Sequence, residues 1–184
     1  MIRSERRADG VALLLLDRPG ARNALSLAML EALGDALHAA RDARCVVLAA
    51  EGPAFCAGHD LRELTAARDE GDKGRAVFAR TLASCAEVMQ AVVDHPVPVI
   101  AAVEGLATAA GCQLAASCDV VLAAPSAAFC TPGVAIGLFC TTPSVALTRA
   151  VGRRAAMEML LTGRVVPAAE AVAMGLATRV EDHP

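Results

Sequence analysis

The chain has no tryptophan and no tyrosine, and only four phenylalanines among its 184 residues. A surface that holds nucleic acid by stacking bases on aromatic rings has almost nothing to be built from. Lys and Arg number 17 against 20 Asp and Glu, for a net charge of −3, and no basic cluster interrupts the balance. That excludes the electrostatic footprint of a polyanion partner, so no nucleic acid is expected. No C-x-x-C pair occurs among the seven cysteines, and their number is odd. A disulfide framework is therefore not expected, nor is a metal site, and reduced thiols fit a cytosol-like compartment. A membrane-length apolar run is also missing. The longest tract, Val97–Ala124, is broken by Glu104, Gln113 and Asp119. The opening MIRSERRADGVALLLLD reads as neither a signal peptide nor a transit peptide. A cytoplasmic protein without membrane contact is the expectation.

What is present is an alternation of short apolar runs with helical periods. Val11–Leu16 reads as a buried strand ended by Asp17-Arg18-Pro19-Gly20. Ser26 is placed to cap a helix whose Leu27, Leu30, Leu33 and Leu37 recur at helical spacing to about Arg41. Cys45–Ala49, Val99–Val103, Val120–Ala123 and Leu176–Val180 read as further strands, with helices over Ala76–Val93, Gly111–Ser117, Val145–Val151, Ala155–Leu161 and Ala168–Met174. The charged stretch Arg68–Arg75 reads as an exposed loop. Strands alternating with helices imply right-handed crossovers and a largely parallel sheet in an α/β fold. No repeat, linker or low-complexity segment divides the chain, so residues 1–184 form one domain in this reading.

Two segments share a design. AFCAGHDL (54–61) follows a strand and turn, and its Asp60 leads into a helix. GLATAAGCQL (105–114) repeats the order of strand, small-residue turn and helix. Helix starts carry unpaired amides that suit an oxyanion, and small residues let backbone approach a ligand closely. Each segment alone is more often a packing device. With RPGARNALSLAMLEAL before them, the run through SCDVVLAAPSAAF after them, and RAVGRRAAMEMLLTG…AAEAVAMGLATRV at the end, they resemble the crotonase (enoyl-CoA hydratase/isomerase) superfamily over residues 10–180.

The resemblance implies a crotonase-like ββα spiral core with largely parallel sheets. It also implies an acyl-CoA thioester as substrate in fatty-acid and acyl-CoA metabolism, with no cofactor beyond that coenzyme A. By position, the backbone N–H groups of His59 and Ala110 would form an oxyanion hole. Ala57, Gly58, His59, Asp60, Leu61 and Arg62 would line the acyl-CoA site, and the loop Arg22-Asn23-Ala24 would flank the nucleotide. The glutamates that handle water and proton in hydratases fall at Gln113 and Gly133, so both acids are absent. Many relatives carry glycine at Ala109 and Ala110. Crotonase-type chains continue past the strand matching Leu176–Val180 into a helical tail that supports a homotrimer or hexamer, whereas this sequence stops at Pro184. Asp60 is expected to cap the following helix. The His59 ring is expected at the surface or in a capping role, and Cys112 and Cys118 in the core. An enzyme leaning on enolate stabilisation and a non-catalytic acyl-CoA-binding protein both remain open.

Overall fold

The computed structural model describes residues 1–184. Strands β2 (Val11–Leu16), β3 (Cys45–Ala50), β4 (Val99–Val103), β6 (Val120–Ala123) and β9 (Arg179–Val180) pair in parallel in that order. The runs of Val, Leu, Ile and Ala in β2, β3, β4 and β6 suit strands covered on both faces, whereas both residues of β9 are exposed. An antiparallel edge strand, β1 (Ile2–Arg6), precedes them, with Ile2 opposite Leu16. Sequence reading missed it because IRSER has no apolar alternation. Four of its five residues are exposed, and their charges protect a free sheet edge.

The resemblance implies more than one sheet, but the strands of the second were not legible in the residues. The second sheet joins β5 (Leu106–Thr108), β7 (Ala128–Cys130) and β8 (Val166–Pro167). Strands of two or three residues are too short to display a period. At β9, only Arg179 and Val180 of the expected Leu176–Val180 pair. Gly175, at φ 87°, turns the chain so that the N–H groups of Leu176 and Ala177 donate to the carbonyl of Ala171 instead.

Helices cover the larger sheet by apolar stripes. In α1 (Leu27–Ala39) the Ser26 hydroxyl accepts from the Met29 N–H at 3.2 Å, and Met29, Leu30, Leu33 and Leu37 are buried. They pack on α3 (Arg75–Val93), whose Thr81, Cys85, Val88, Met89 and Val92 form its inner face. By length and composition α3 could cross a bilayer, although this stripe is spent on the core. The stretch expected as a loop over 68–75 holds a 3-10 turn, Ala67–Asp69, after α2 (Leu61–Ala66). Helix α5 (Thr141–Ala150) starts four residues earlier than its apolar period suggests, because Pro143 is tolerated in a first turn. Helices α6 (Arg153–Thr162) and α7 (Ala168–Met174) complete the fold.

The short helix α4 (Ala110–Ala116) is the centrepiece, buried from Ala110 to Ala115. Its first turn lies directly on the 54–60 segment. A Cβ at Gly111 would sit 2.2 Å from the Cys56 carbonyl oxygen, well inside van der Waals contact. Only glycine allows this approach. Gly111→Ala is expected to destabilise the protein by about 3 kcal/mol or more, as overpacking does where the obstacle is backbone. Urea unfolding measures this, and a loss below about 1 kcal/mol would show that the two segments can part freely.

Candidate functional site

Residues 54–60 form a ribbon between two other pieces of chain. On one side, Cys56 N–H donates to the Leu106 carbonyl at 3.2 Å and Thr108 N–H donates to the Cys56 carbonyl at 2.9 Å. On the other side, Ala57 N–H donates to the Arg22 carbonyl at 3.0 Å, Leu25 N–H to the Gly58 carbonyl at 2.8 Å, and Asp60 N–H to the Leu25 carbonyl at 3.1 Å. In a trans peptide the C=O and the following N–H point in opposite directions. Since the Gly58 carbonyl faces Leu25, the His59 N–H faces away from Leu25. No cis peptide disturbs this, and the His59 N–H has no protein acceptor.

Helix α4 presents a second free N–H. The Ala109 carbonyl accepts from the Gln113 N–H at 3.0 Å, along the helix. The Ala110 N–H of the same peptide unit therefore projects out of the helix start, where no intrahelical acceptor exists. The two peptides are neighbours. A Cβ at Gly58 would lie 3.3 Å from the Ala110 nitrogen and 3.0 Å from both the Thr108 carbonyl oxygen and the Ala109 Cβ. Gly58, at φ 79°, permits this approach. Ala109 pays for it, holding φ 51° and ψ −119°, a region L-residues avoid.

The remaining residues expected at the site divide by exposure. Arg22, Leu61 and Arg62 are exposed, while Ala24 and Asp60 are buried. Asp60 caps α2 as expected, accepting from the N–H groups of Arg62 at 3.0 Å and Glu63 at 3.3 Å, and it also receives Arg18 Nη1 at 2.7 Å. Burial alone would raise its pKa, but the hydrogen bonds from Arg18 and the α2 amides outweigh that and hold the carboxylate below its usual range. The His59 ring is neither at the surface nor a cap. It is half-buried, its Nε2 is sequestered without a partner, and burial pushes its pKa below the ordinary value. The imidazole is thus neutral near pH 7.

Gln113 is buried with its Oε1 unpaired, and Thr131 is fully buried with its Oγ1 unpaired. At Gly133 a Cβ would lie 2.4 Å from the Leu138 carbonyl oxygen and 2.7 Å from Cys140 Sγ, so the backbone leaves no room for a side chain. All seven cysteines are unpaired. Burial pushes Cys56 and Cys118 up to about 12 and Cys130 upward too, the last offset in part by its 3.2 Å hydrogen bond to Thr108 Oγ1. These three thiols thus move away from the lowered pKa of an activated nucleophile.

Sequence reading placed Asn23 only in a nucleotide-flanking loop and missed its part as an organiser. Fully buried at φ 53°, it accepts from Arg18 N–H at 2.8 Å and donates to the carbonyls of Glu51 and Ala54, each at 2.9 Å. It thereby fixes the loop that pairs with residues 57–60. Asparagine tolerates left-handed backbone, which was the available signal in RPGARNAL.

A ribbon of backbone amides facing a glycine-seated helix start, on this two-sheet α/β core, defines a crotonase-like protein. The chain belongs to the enoyl-CoA hydratase/isomerase family, whose description matches residues 6–182. It is 51% identical over 180 residues to the mitochondrial enoyl-CoA hydratase domain-containing protein 3 of rat and of human, a match covering 96% of this chain and 58% of each relative. The chain thus spans rather more than half the length of those relatives. Among solved structures, an enoyl-CoA hydratase of Mycobacterium smegmatis superposes with TM-score 0.90 at 50% identity, covering 97% of this chain and 69% of that one. Human enoyl-CoA hydratase domain-containing protein 3 gives 0.88 at 45% identity, covering 97% and 70%. The cytoplasmic expectation is corrected by these relatives, which are named as mitochondrial proteins. Composition and thiol state, on which that expectation rested, do not distinguish two reducing compartments.

The neutral His59 ring has a consequence for pH. Its folded pKa lies below its unfolded value, so the unfolded chain binds the proton more tightly. Stability from this group is complete above the unfolded pKa of about 6.5 and is lost as pH falls from there toward the lower folded value. Denaturant titrations from pH 7.5 to 5 should show a decline that a His59→Gln variant lacks. An unchanged slope in the variant would remove His59 as the cause.

Proposed function

We propose that this chain holds a coenzyme A thioester with its carbonyl oxygen between the N–H groups of His59 and Ala110, and stabilises negative charge that develops there. The observation that carries this reading is the pair of peptide planes at 58–59 and 109–110, set side by side with both N–H groups unpaired. Family membership supports the thioester as ligand. A single backbone or amide donor of this kind is worth roughly 10²–10³ in rate.

Proton transfer is the missing half. Gln113 cannot ionise, Gly133 has no side chain and no space for one, and Asp60 is committed to Arg18 and the α2 amides. A positioned acid or base is worth roughly 10²–10⁴ in rate, so ordinary hydration of an enoyl-CoA is strongly impaired. The reading therefore favours decarboxylation, in which CO2 rather than a proton leaves Cα and the enolate is held by the two N–H groups, over thioester hydrolysis or isomerisation, which also require a proton to be moved. The same replacements at positions 113 and 133 favour a second reading, acyl-CoA binding without turnover.

Crotonyl-CoA hydration, followed by loss of enone absorbance, separates these from an ordinary hydratase. Wild type should be nearly silent, and Gln113→Glu should raise the rate by about tenfold or more. Gly133→Glu is not a useful companion, because the Leu138 carbonyl would have to move. Brisk hydration by wild type would overturn the assignment of Gln113 and Gly133 as the positions of the absent acids.

A further inference from the structure

We propose that Ala109 attenuates this site: its methyl crowds the Ala110 N–H, so that a bound thioester is held mainly by the His59 N–H and polarised only weakly. This deepens the acyl-CoA reading above and rests on it. Ala109 holds φ 51° and ψ −119°, backbone that glycine adopts freely and an L-residue avoids. Such strain persists only where the surroundings over-determine the chain. Here they do. The Ala109 N–H donates to the Cys130 carbonyl at 2.9 Å, and its own carbonyl accepts from the Gln113 N–H at 3.0 Å. Two residues on, Gly111 is seated against the Cys56 carbonyl oxygen. Ala109 is only half-buried, so core packing of its methyl does little to offset the strain.

The dihedrals say where that methyl stands. Viewed along the Cα–C bond, L chirality sets Cβ about 120° behind N, so at ψ −119° it eclipses the C–N bond to Ala110. In a trans peptide the N–H lies on the same side as the preceding Cα. The methyl is therefore in the plane of the 109–110 peptide, alongside the Ala110 N–H and within about 3 Å of its nitrogen by standard bond lengths. Its place against Gly58 agrees. A Cβ at Gly58 would lie 3.0 Å from the Ala109 Cβ and 3.3 Å from the Ala110 nitrogen, so methyl and donor meet the same side of Gly58.

An acceptor in line with the Ala110 N–H would run into this methyl, because carbon and oxygen stay about 3.3 Å or more apart. The acceptor is displaced out of the peptide plane, and a hydrogen bond weakens steeply as its angle closes toward about 120°. The His59 N–H has no such neighbour, since the residue before it is Gly58 and carries no Cβ. The two donors are thus unequal. Hydrogen bonds to a charged acceptor are roughly twice as strong as neutral ones, so screening one donor costs an enolate more than it costs a neutral carbonyl. The crowded donor and the missing acids at 113 and 133 act in one direction, toward holding an acyl-CoA over converting it.

Infrared difference spectra of butyryl-CoA, labelled with heavy carbon at its carbonyl and bound to the whole chain, test this. The carbonyl band should lie at lower frequency in Ala109→Gly than in wild type, because the uncovered Ala110 N–H then joins the His59 N–H in polarising it. Release of strain should also raise the Tm of the variant by about 2–4 °C. A band at the same or higher frequency in the variant overturns the proposal. So does a Tm that fails to rise, which would mean that the methyl sits without strain. Equal bands in two proteins that both bind butyryl-CoA spare the thioester reading and remove only the attenuation. Calorimetry that finds no binding of butyryl-CoA to either protein removes both.

Discussion

The contact between Gly111 and the Cys56 carbonyl is where the two halves of the site are joined. Because position 111 carries no Cβ, the first turn of α4 rests on the backbone of another segment rather than on side chains. Gly105 repeats the device six residues earlier, where a Cβ would lie 2.3 Å from the Pro53 carbonyl oxygen. Between these two contacts, Cys56 exchanges hydrogen bonds with Leu106 and Thr108. The relative position of the peptides at 58–59 and 109–110 is thus set by main chain on both sides. Backbone geometry of this kind varies little, since each peptide has only two soft dihedrals and here several are tied down.

One consequence is tolerance of side chains at the positions of the candidate site. Ala109 adopts a backbone conformation that glycine would occupy without strain, yet the turn keeps its shape, and Ala110 presents its N–H as a glycine would. His59 contributes a peptide N–H while its imidazole is stored, neutral, in partial burial. The charged groups around the ribbon are spent on holding it in place. Asp60 caps α2 and pairs with Arg18, and Asn23 binds three backbone groups of the surrounding loops.

Much of this was legible in the chain itself, element by element. The leucine period after Ser26, the apolar runs at 11–16, 45–49, 99–103 and 120–123, and the Pro167–Gly175 frame around a helix correspond to α1, four of the parallel strands and α7. The likeness to crotonases rested on AFCAGHDL and GLATAAGCQL and stands with the family match over residues 6–182. Illegible elements failed for identifiable reasons. The strand β1 is charged because it is an edge, and the second sheet is assembled from fragments too short to carry a pattern. Compartment was misread because reduced cysteines say little about which reducing compartment a chain occupies.

Sequence alone determined which groups this protein can bring to a ligand: no carboxylate at 113 or 133, and small residues at 57, 58 and 109–111. Those are facts of covalent composition, and no folding can add an acid that is not encoded. Only the tertiary structure decided that the His59 and Ala110 N–H groups are unpaired neighbours, that Gly133 is walled by the Leu138 carbonyl, and that Gln113 and Thr131 keep buried oxygens without partners. These depend on peptides and side chains distant in sequence coming within a few ångströms, and a linear pattern carries no term for that distance.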